Sequence, residues 1–389
     1  LPRKGIPMAV VDIRAQAKRR TPEELIRHLQ TFSLELNFAA GVWFFAPGGG
    51  RFHDRYTPNL SIPERLKLAG ELAPYGLKGV EAHYPTEVNE GNWHHYQQLE
   101  KDTGIKLVGF GPALFYDKDF EWGALSSPYP EVQEKAIDIF ARALKFAKDT
   151  GTPHVIHWPG IDGWENNFGI DFIAMRDRFA RNLAKAMDRV PGVRVCMEPK
   201  PYEPRGRIIY GSTYEGLLLA QKVESLLEHP ENKAILAEGH ALVAMNPEVG
   251  HMLMGFEDLA YSFSLIIEYG KLAHTHWNSQ PLGNYDQDMN VGVLSPEQTE
   301  AALYVLKMHG YKGYFSPDLN PERMSPLQAL KNCFDALRAA NERINSLDHE
   351  KVIMSTTFPR KNRGWLEAYL IRQRAGDVAG LSEMPEFDK

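Results

Sequence analysis

The segment Val193-Arg194-Val195-Cys196-Met197-Glu198-Pro199-Lys200 is a short apolar, β-rich run that stops at a carboxylate, a proline and an ammonium group. Such a run, ended by proline and too short for a helix, reads as a buried strand whose charged residues gather at its C-terminal end. The pattern recurs. Strand-like runs at residues 41–45, 77–83, 106–110, 154–158, 241–246, 272–276 and 313–318 join the one at 193–198 to make eight. Between them lie segments of helical period at 62–72, 131–148, 171–187, 214–227, 256–269 and 296–309, with Ser61, Ser295 and the Thr213 hydroxyl as candidate caps. Parallel strands need crossover connections, so this alternation predicts βαβ units. Eight units predict an α/β chain closed into a (β/α)8 TIM barrel, with an open doubly wound sheet as the competitor. No G-x-G-x-x-G follows the first run, and Gly48-Gly49-Gly50 reads as a flexible turn.

The expected organisation is an N-terminal segment (1–34), a barrel catalytic domain (35–325) and a C-terminal helical extension (326–389) with helices at 326–345 and 363–375. Such an extension cannot bury its apolar residues alone, so it is expected to pack on the barrel or on a neighbouring subunit. The net charge of −6 shows no basic stripe of the kind that neutralises phosphates, which argues against a nucleic-acid partner. Two cysteines, Cys196 and Cys333, make no disulfide or zinc pattern, and a reducing, cytoplasmic setting is the default expectation. No apolar run reaches the roughly 20 residues of a membrane span. The start, Leu1-Pro2-Arg3-Lys4-Gly5, lacks the apolar stretch of a signal peptide.

In a barrel the chemistry sits where the strands end, and the ionisable residues collect there. Trp43 lies on the first run, His83 ends the second, and His157-Trp158 ends the fourth. Glu198 and Lys200 follow the fifth, and Glu248 and His251 follow the sixth. His276 ends the seventh, with Asp286 and Asp288 close behind, and Asp318 ends the eighth. Taken singly, each carboxylate reads as a cap or ion-pair partner and each histidine as a packing residue. Together, several anions in one cleft would repel each other without a cation. Oxygen donors with a few imidazoles suit Mg²⁺, Mn²⁺ or Co²⁺.

Four segments carry a resemblance: Met197-Glu198-Pro199-Lys200-Pro201-Tyr202-Glu203-Pro204-Arg205-Gly206, Asn246-Pro247-Glu248-Val249-Gly250-His251, Tyr285-Asp286-Gln287-Asp288 and Trp158-Pro159-Gly160-Ile161-Asp162-Gly163. In this order, over most of residues 35–345, they resemble the xylose isomerase family. The resemblance implies a metal-dependent aldose–ketose isomerase with two divalent ions per subunit and a free sugar as substrate. One ion would be held by Glu198, Glu248, His276 and Asp318, the other by Glu248, His251, Asp286 and Asp288. Lys200 would meet the sugar carbonyl oxygen and His83 the ring oxygen. Trp43 and Trp158, with Phe115 as a third, would wall a dry path for a hydride moving from C2 to C1. The family also implies a homo-oligomer, a tetramer or dimer.

The chain departs from the family twice. His276, within His274-Thr275-His276-Trp277-Asn278, stands where an Asp is usual; an imidazole there resembles the L-rhamnose isomerases and ketose 3-epimerases. Thr86 stands where the family pairs an Asp with its ring-opening histidine, leaving Glu87 as the nearby acid. The loop at 46–58, with Arg51, His53 and Asp54, is a further source of substrate contacts. Other readings stay open: a metal-dependent sugar epimerase or eliminating lyase acting on a sugar or an oxidised glycoside by proton abstraction, a metal-dependent nuclease, which the acidic balance disfavours, or a non-catalytic sugar-binding protein.

Overall fold

The computed structural model describes residues 10–48, 54–321, 324–376, 378 and 381. Eight parallel strands form one sheet in the order β8-β6-β4-β3-β2-β1-β10-β9, where β1 is Asn37–Gly41, β2 Leu77–Tyr84, β3 Lys106–Pro112, β4 His154–His157, β6 Val195–Met197, β8 Val243–Met245, β9 His276–Trp277 and β10 Tyr314–Pro317. Parallel bridges Met245↔Leu272 and Glu248↔His276 join the two ends of this order and close the barrel. The remaining two strands, β5 (Gly163–Trp164) and β7 (Arg207–Ile208), pair antiparallel outside it. The fold is the expected TIM barrel.

Helices cover the sheet because each has one apolar stripe. α4 (Pro130–Thr150) buries Ala136, Ile137, Phe140, Ala143, Leu144 and Ala147, a three-and-four spacing that faces the strands. Pro130 opens it, and Gly151 ends it in the left-handed region. Fully burying Phe140 is worth about 1.5–3 kcal/mol, so Phe140→Ala is the single change that would most weaken this contact.

Several local expectations shift. The first strand lies at Asn37–Gly41, and Val42–Phe45 form a 3-10 turn, so Trp43 stands beyond the strand end. The run at 272–276 keeps only His276–Trp277 as strand, with backbone bonds from Ala273 and His276 to Met245 and Pro247 taking over. The helix expected at 256–269 starts later, as α9 (Leu259–Glu268), because Phe256 takes a positive φ and Asp258 caps it; a short helix the sequence pattern did not suggest, α8 (Val249–Met254), precedes it. Ser212, not Thr213, caps α6 (Thr213–Ser225), while the Thr213 hydroxyl is buried without a partner. Ser295 lies in the left-handed region and makes no side-chain cap.

The N-terminal end of the barrel is plugged from within the chain. Ile13 packs with Ile156, Cys196, Ala244 and Ala273, and Gln16 donates to the Leu272 carbonyl. Beyond β10, α11 (Pro326–Asn345) packs on the barrel, where Phe334 stacks on Phe38 with ring centres 4.2 Å apart. The segment between the helices expected at 326–345 and 363–375 is itself largely helical: α12 (His349–Thr357) is followed directly by α13 (Pro359–Arg374), and α12 packs on α1 (Pro22–Thr31).

Candidate active site

Period two along a strand puts alternate side chains inside the barrel. On β2 the inward set includes Glu81 and His83, and the register places them beside Gly109 and Gly111 of β3. Glycine there leaves the volume that the larger side chains and the cleft occupy: a Cβ on Gly111 would lie 3.3 Å from the Ile156 carbonyl oxygen. The cleft above has a volume of about 260 Å³ and opens at the C-terminal ends of the strands. Trp43, His83, Phe115, Trp158, Glu198, Glu248, His251, His276, Asp286, Asp288 and Asp318 all line it. Lys200 reaches it through Asp286, with Nζ 2.7 Å from Oδ2.

Two sets of donor atoms converge, each within 4.8 Å, and they share Glu248: Glu198, Glu248, His276 and Asp318 form one, and Glu248, His251 and Asp286 the other. Asp288 is not in the second set; it lies nearby with φ 46° and accepts from Asn278 Nδ2 at 3.3 Å. The donors are held from behind. Asn246 Nδ2 donates to Glu198 Oε2 at 2.7 Å, and Asn278 Nδ2 donates to Glu248 Oε1 at 2.8 Å. The Glu203 carboxylate accepts from the Asp286 backbone N–H at 2.9 Å. A Cβ on Gly250 would lie 2.7 Å from Asn278 Oδ1, so this position next to His251 requires glycine.

Charge inside the cleft is poised for a cation. Burial pushes Glu248 up to about 7 against the pull of His251, with Asp318 and Asp286 adding to the push. Burial, with Asp286, Asp318 and Glu248, drives Asp288 well above the usual carboxylate range. Burial opposes the charge on His276, but Glu81 and Glu198 outweigh it and hold the imidazole well above its ordinary value. Lys200 is raised too, because Asp286 overcomes its burial. Glu81 accepts a hydrogen bond from His276 Nε2 at 2.9 Å, so a neutral ring would turn a lone pair on Nδ1 toward Glu198 Oε2 at 3.1 Å, Asp318 Oδ2 at 3.3 Å and Glu248 Oε2 at 3.8 Å. Nδ1 has no hydrogen-bond partner. A lone pair facing three carboxylates is repulsive unless a proton or a metal ion lies between them, and this donor set fits a hard divalent ion.

An aromatic wall faces the acids. Trp43 and His83 rings are 4.6 Å apart, His83 and Phe115 5.6 Å, and Phe115 and Trp158 4.9 Å. Trp43 Nε1 donates to Asp318 Oδ1 at 3.0 Å, so the wall is tied to the donor set. Lys200 Nζ lies 5.2 Å from the centre of the Trp158 ring.

The missing carboxylate behind His83 is present. Glu87 Oε2 accepts from the His83 backbone N–H at 2.9 Å and sits 2.7 Å from Nδ1, and Glu87 Oε1 accepts from Arg65 at 2.9 Å. The turn after β2 brings residue 87, not 86, back onto the ring. By contrast His157 points away from the cleft, pairs through Nδ1 with the Tyr210 hydroxyl and packs on Phe140 and Phe179. Asp162 is also structural. Its Oδ1 accepts from the backbone of Ala124 and Ser126 and from the Ser126 hydroxyl, clamping the loop after β3. Arg51 and His53 lie outside the described residues. Sequence reading missed Glu81, Arg65, Asn278 and Glu203. Glu81 did leave a signal, a charge inside a strand run with the same parity as His83.

The family model for xylose isomerase-like TIM barrels matches residues 70–340, and the chain belongs to that family. The xylose isomerase of Thermus thermophilus is 27% identical over 300 residues, which covers 73% of this chain and 71% of that one. That of Thermus caldophilus is 25% identical over 296 residues, covering 72% and 71%. Among solved structures, L-ribulose 3-epimerase aligns with a TM-score of 0.56 at 14% identity, over 81% of this chain and 99% of that one. The 3-keto-D-glucoside 4-epimerase of E. coli aligns with a TM-score of 0.54 at 16% identity, over 78% and 100%. At these identities the structural likeness bears on the fold. Among the described residues, no helix is long and apolar enough to cross a membrane.

Proposed function

We propose that this protein is a metal-dependent aldose–ketose isomerase acting on a free sugar. The observation that carries the reading is the pair of donor sets that share Glu248 and face an aromatic wall. Glu198, Glu248, His276 and Asp318 would hold one divalent ion (Mg²⁺, Mn²⁺ or Co²⁺), and Glu248, His251 and Asp286, with Asp288 moving in, the other. Divalent ions held there would supply Lewis-acid polarisation of sugar oxygens, the chemistry a 1,2-hydride shift needs.

The chain's own residues do the rest. Glu87 keeps the proton of His83 on Nδ1, which leaves Nε2 as the atom to exchange a proton with the sugar ring oxygen. Lys200, held protonated beside Asp286, directs a cation at the oxygen on which charge develops. Trp43, Phe115 and Trp158 exclude water from the carbon path and suppress proton exchange. As a whole we propose a cytoplasmic homo-oligomer, a dimer or tetramer, with 35–325 as the catalytic unit and 326–389 as an extension.

One observation favours a second reading, epimerisation or elimination by proton abstraction over a single ion: Asp288 is not among the donor atoms that converge at the second set. Incubating purified protein in D₂O with Mg²⁺, Mn²⁺ or Co²⁺ and a panel of aldoses and ketoses separates the two. A hydride shift yields product with no solvent deuterium at carbon, whereas proton abstraction incorporates it there. Conversion of no sugar with metal bound refutes the isomerase reading.

A further inference from the structure

The cleft is also lined by a carboxylate that nothing in the proposed reaction uses. Glu81 is fully buried in the barrel interior, where an anion is costly unless every oxygen is satisfied. Its two oxygens face two different imidazoles. Oε1 is 3.0 Å from His274 Nε2 and also accepts from the Ser316 hydroxyl; Oε2 is 2.9 Å from His276 Nε2. One carboxylate cannot donate, so both Nε2 atoms carry protons. When His276 is neutral, that choice leaves Nδ1 bare, and Nδ1 is the atom that faces Glu198, Glu248 and Asp318.

We propose that Glu81 is the positioning residue of the His276 donor set: it sets the ring's tautomer and returns to the site the negative character that a histidine in place of an aspartate removes. The inference rests on reading the cleft as a metal centre and adds to it a residue one hydrogen bond behind the donors. A carboxylate accepting from the far nitrogen makes an imidazole a more basic ligand and fixes its plane. The anion therefore stands across the ring from the ion, and His276 transmits its charge. His274 and Ser316 hold the other oxygen and keep Glu81 from rotating away.

Glu81, His274 and His276 also form a compact set that would itself suit a metal ion. The geometry favours hydrogen bonds over ligation, because each imidazole meets a different oxygen at hydrogen-bond length.

The test is Glu81→Gln, which keeps the shape but offers one acceptor where two protonated nitrogens need one each. The amide nitrogen then demands a lone pair from an imidazole Nε2, and if His276 supplies it the proton moves to Nδ1, facing the donor set. Metal-stripped protein titrated with Mn²⁺ by calorimetry should show two ions in the unsubstituted chain. In Glu81→Gln the affinity of one of them should fall about 10- to 100-fold. Unchanged Mn²⁺ affinity in the variant, with the wild-type protein binding and turning over sugar, overturns the role of Glu81 alone. A third Mn²⁺ that the variant loses overturns it as well, by making Glu81 a ligand. No Mn²⁺ binding by the wild-type protein removes this inference and the proposed function together. If the variant does not fold, ¹⁵N spectra of histidine-labelled wild-type protein with Mg²⁺ decide: the proposal requires His276 protonated on Nε2, and the opposite tautomer refutes it.

Discussion

Replacing Glu87 by glutamine probes the device that takes the place of the expected aspartate. The carboxylate serves three donors: the His83 backbone N–H and Nδ1 through Oε2, and Arg65 through Oε1. Glutamine has one acceptor end and one donor end. With its oxygen toward His83, the amide NH₂ meets the Arg65 guanidinium, donor against donor, at what was a 2.9 Å contact. With the amide reversed, the His83 N–H is orphaned and Nδ1 must give up its proton, which moves to Nε2 and faces the cleft. Either way one charge-assisted hydrogen bond is lost in a partly buried setting, a cost of about 2 kcal/mol, readable by urea denaturation. The catalytic consequence is selective. A positioned acid–base group contributes at least about 10²-fold, so kcat on an aldose that exists as a ring should fall by about that factor. An aldose too short to close a ring, such as glyceraldehyde, bypasses the step and should be converted at a rate within about twofold of the wild type. Equal loss on both substrates, or no loss on the cyclic one, refutes the assignment of His83 and Glu87 to ring opening.

Three further outcomes are expected. Lys200→Ala and Asp286→Ala should abolish turnover while far-ultraviolet circular dichroism stays native, and near-normal activity in either would show that the site is misassigned. In metal-free protein the raised Glu248, at about 7, holds a proton that the unfolded chain releases near 4.5, so stability falls as pH rises through that window. The raised His276 acts in the same direction, since its contribution is present below the ordinary imidazole value and lost above its own. A divalent ion must displace those protons, so the rise in melting temperature on adding Mn²⁺ should be larger at pH 8 than at pH 5.5, and a rise independent of pH counts against ligation by Glu248. Asp162→Ala should cost about 3–5 kcal/mol, because it leaves two backbone N–H groups and the Ser126 hydroxyl buried without an acceptor; a melting curve like the wild type's would contradict the clamp.

The sequence by itself determined the barrel and the ring of donors around its mouth. Both follow from local order along the chain: apolar runs of strand length alternate with helical stretches, and each run ends in the residues that the barrel must place at one face. Glu198, Glu248, His276 and Asp318 were legible because a strand end is a position in sequence as much as in space. The first strand lay four residues early and the run at 272–276 was mostly irregular, since backbone pairing there depends on neighbouring strands. What only the tertiary structure decided is which groups stand behind the donors. Glu81 meets His274 and His276 across the barrel, and Arg65 meets Glu87 from α2 (Ile62–Gly70). The tautomers of His83 and His276 are set by those contacts, which depend on strand register and on the turn after β2. No periodicity or spacing encodes them, because a hydrogen bond of about 3 Å is fixed by three-dimensional packing between residues remote in the chain.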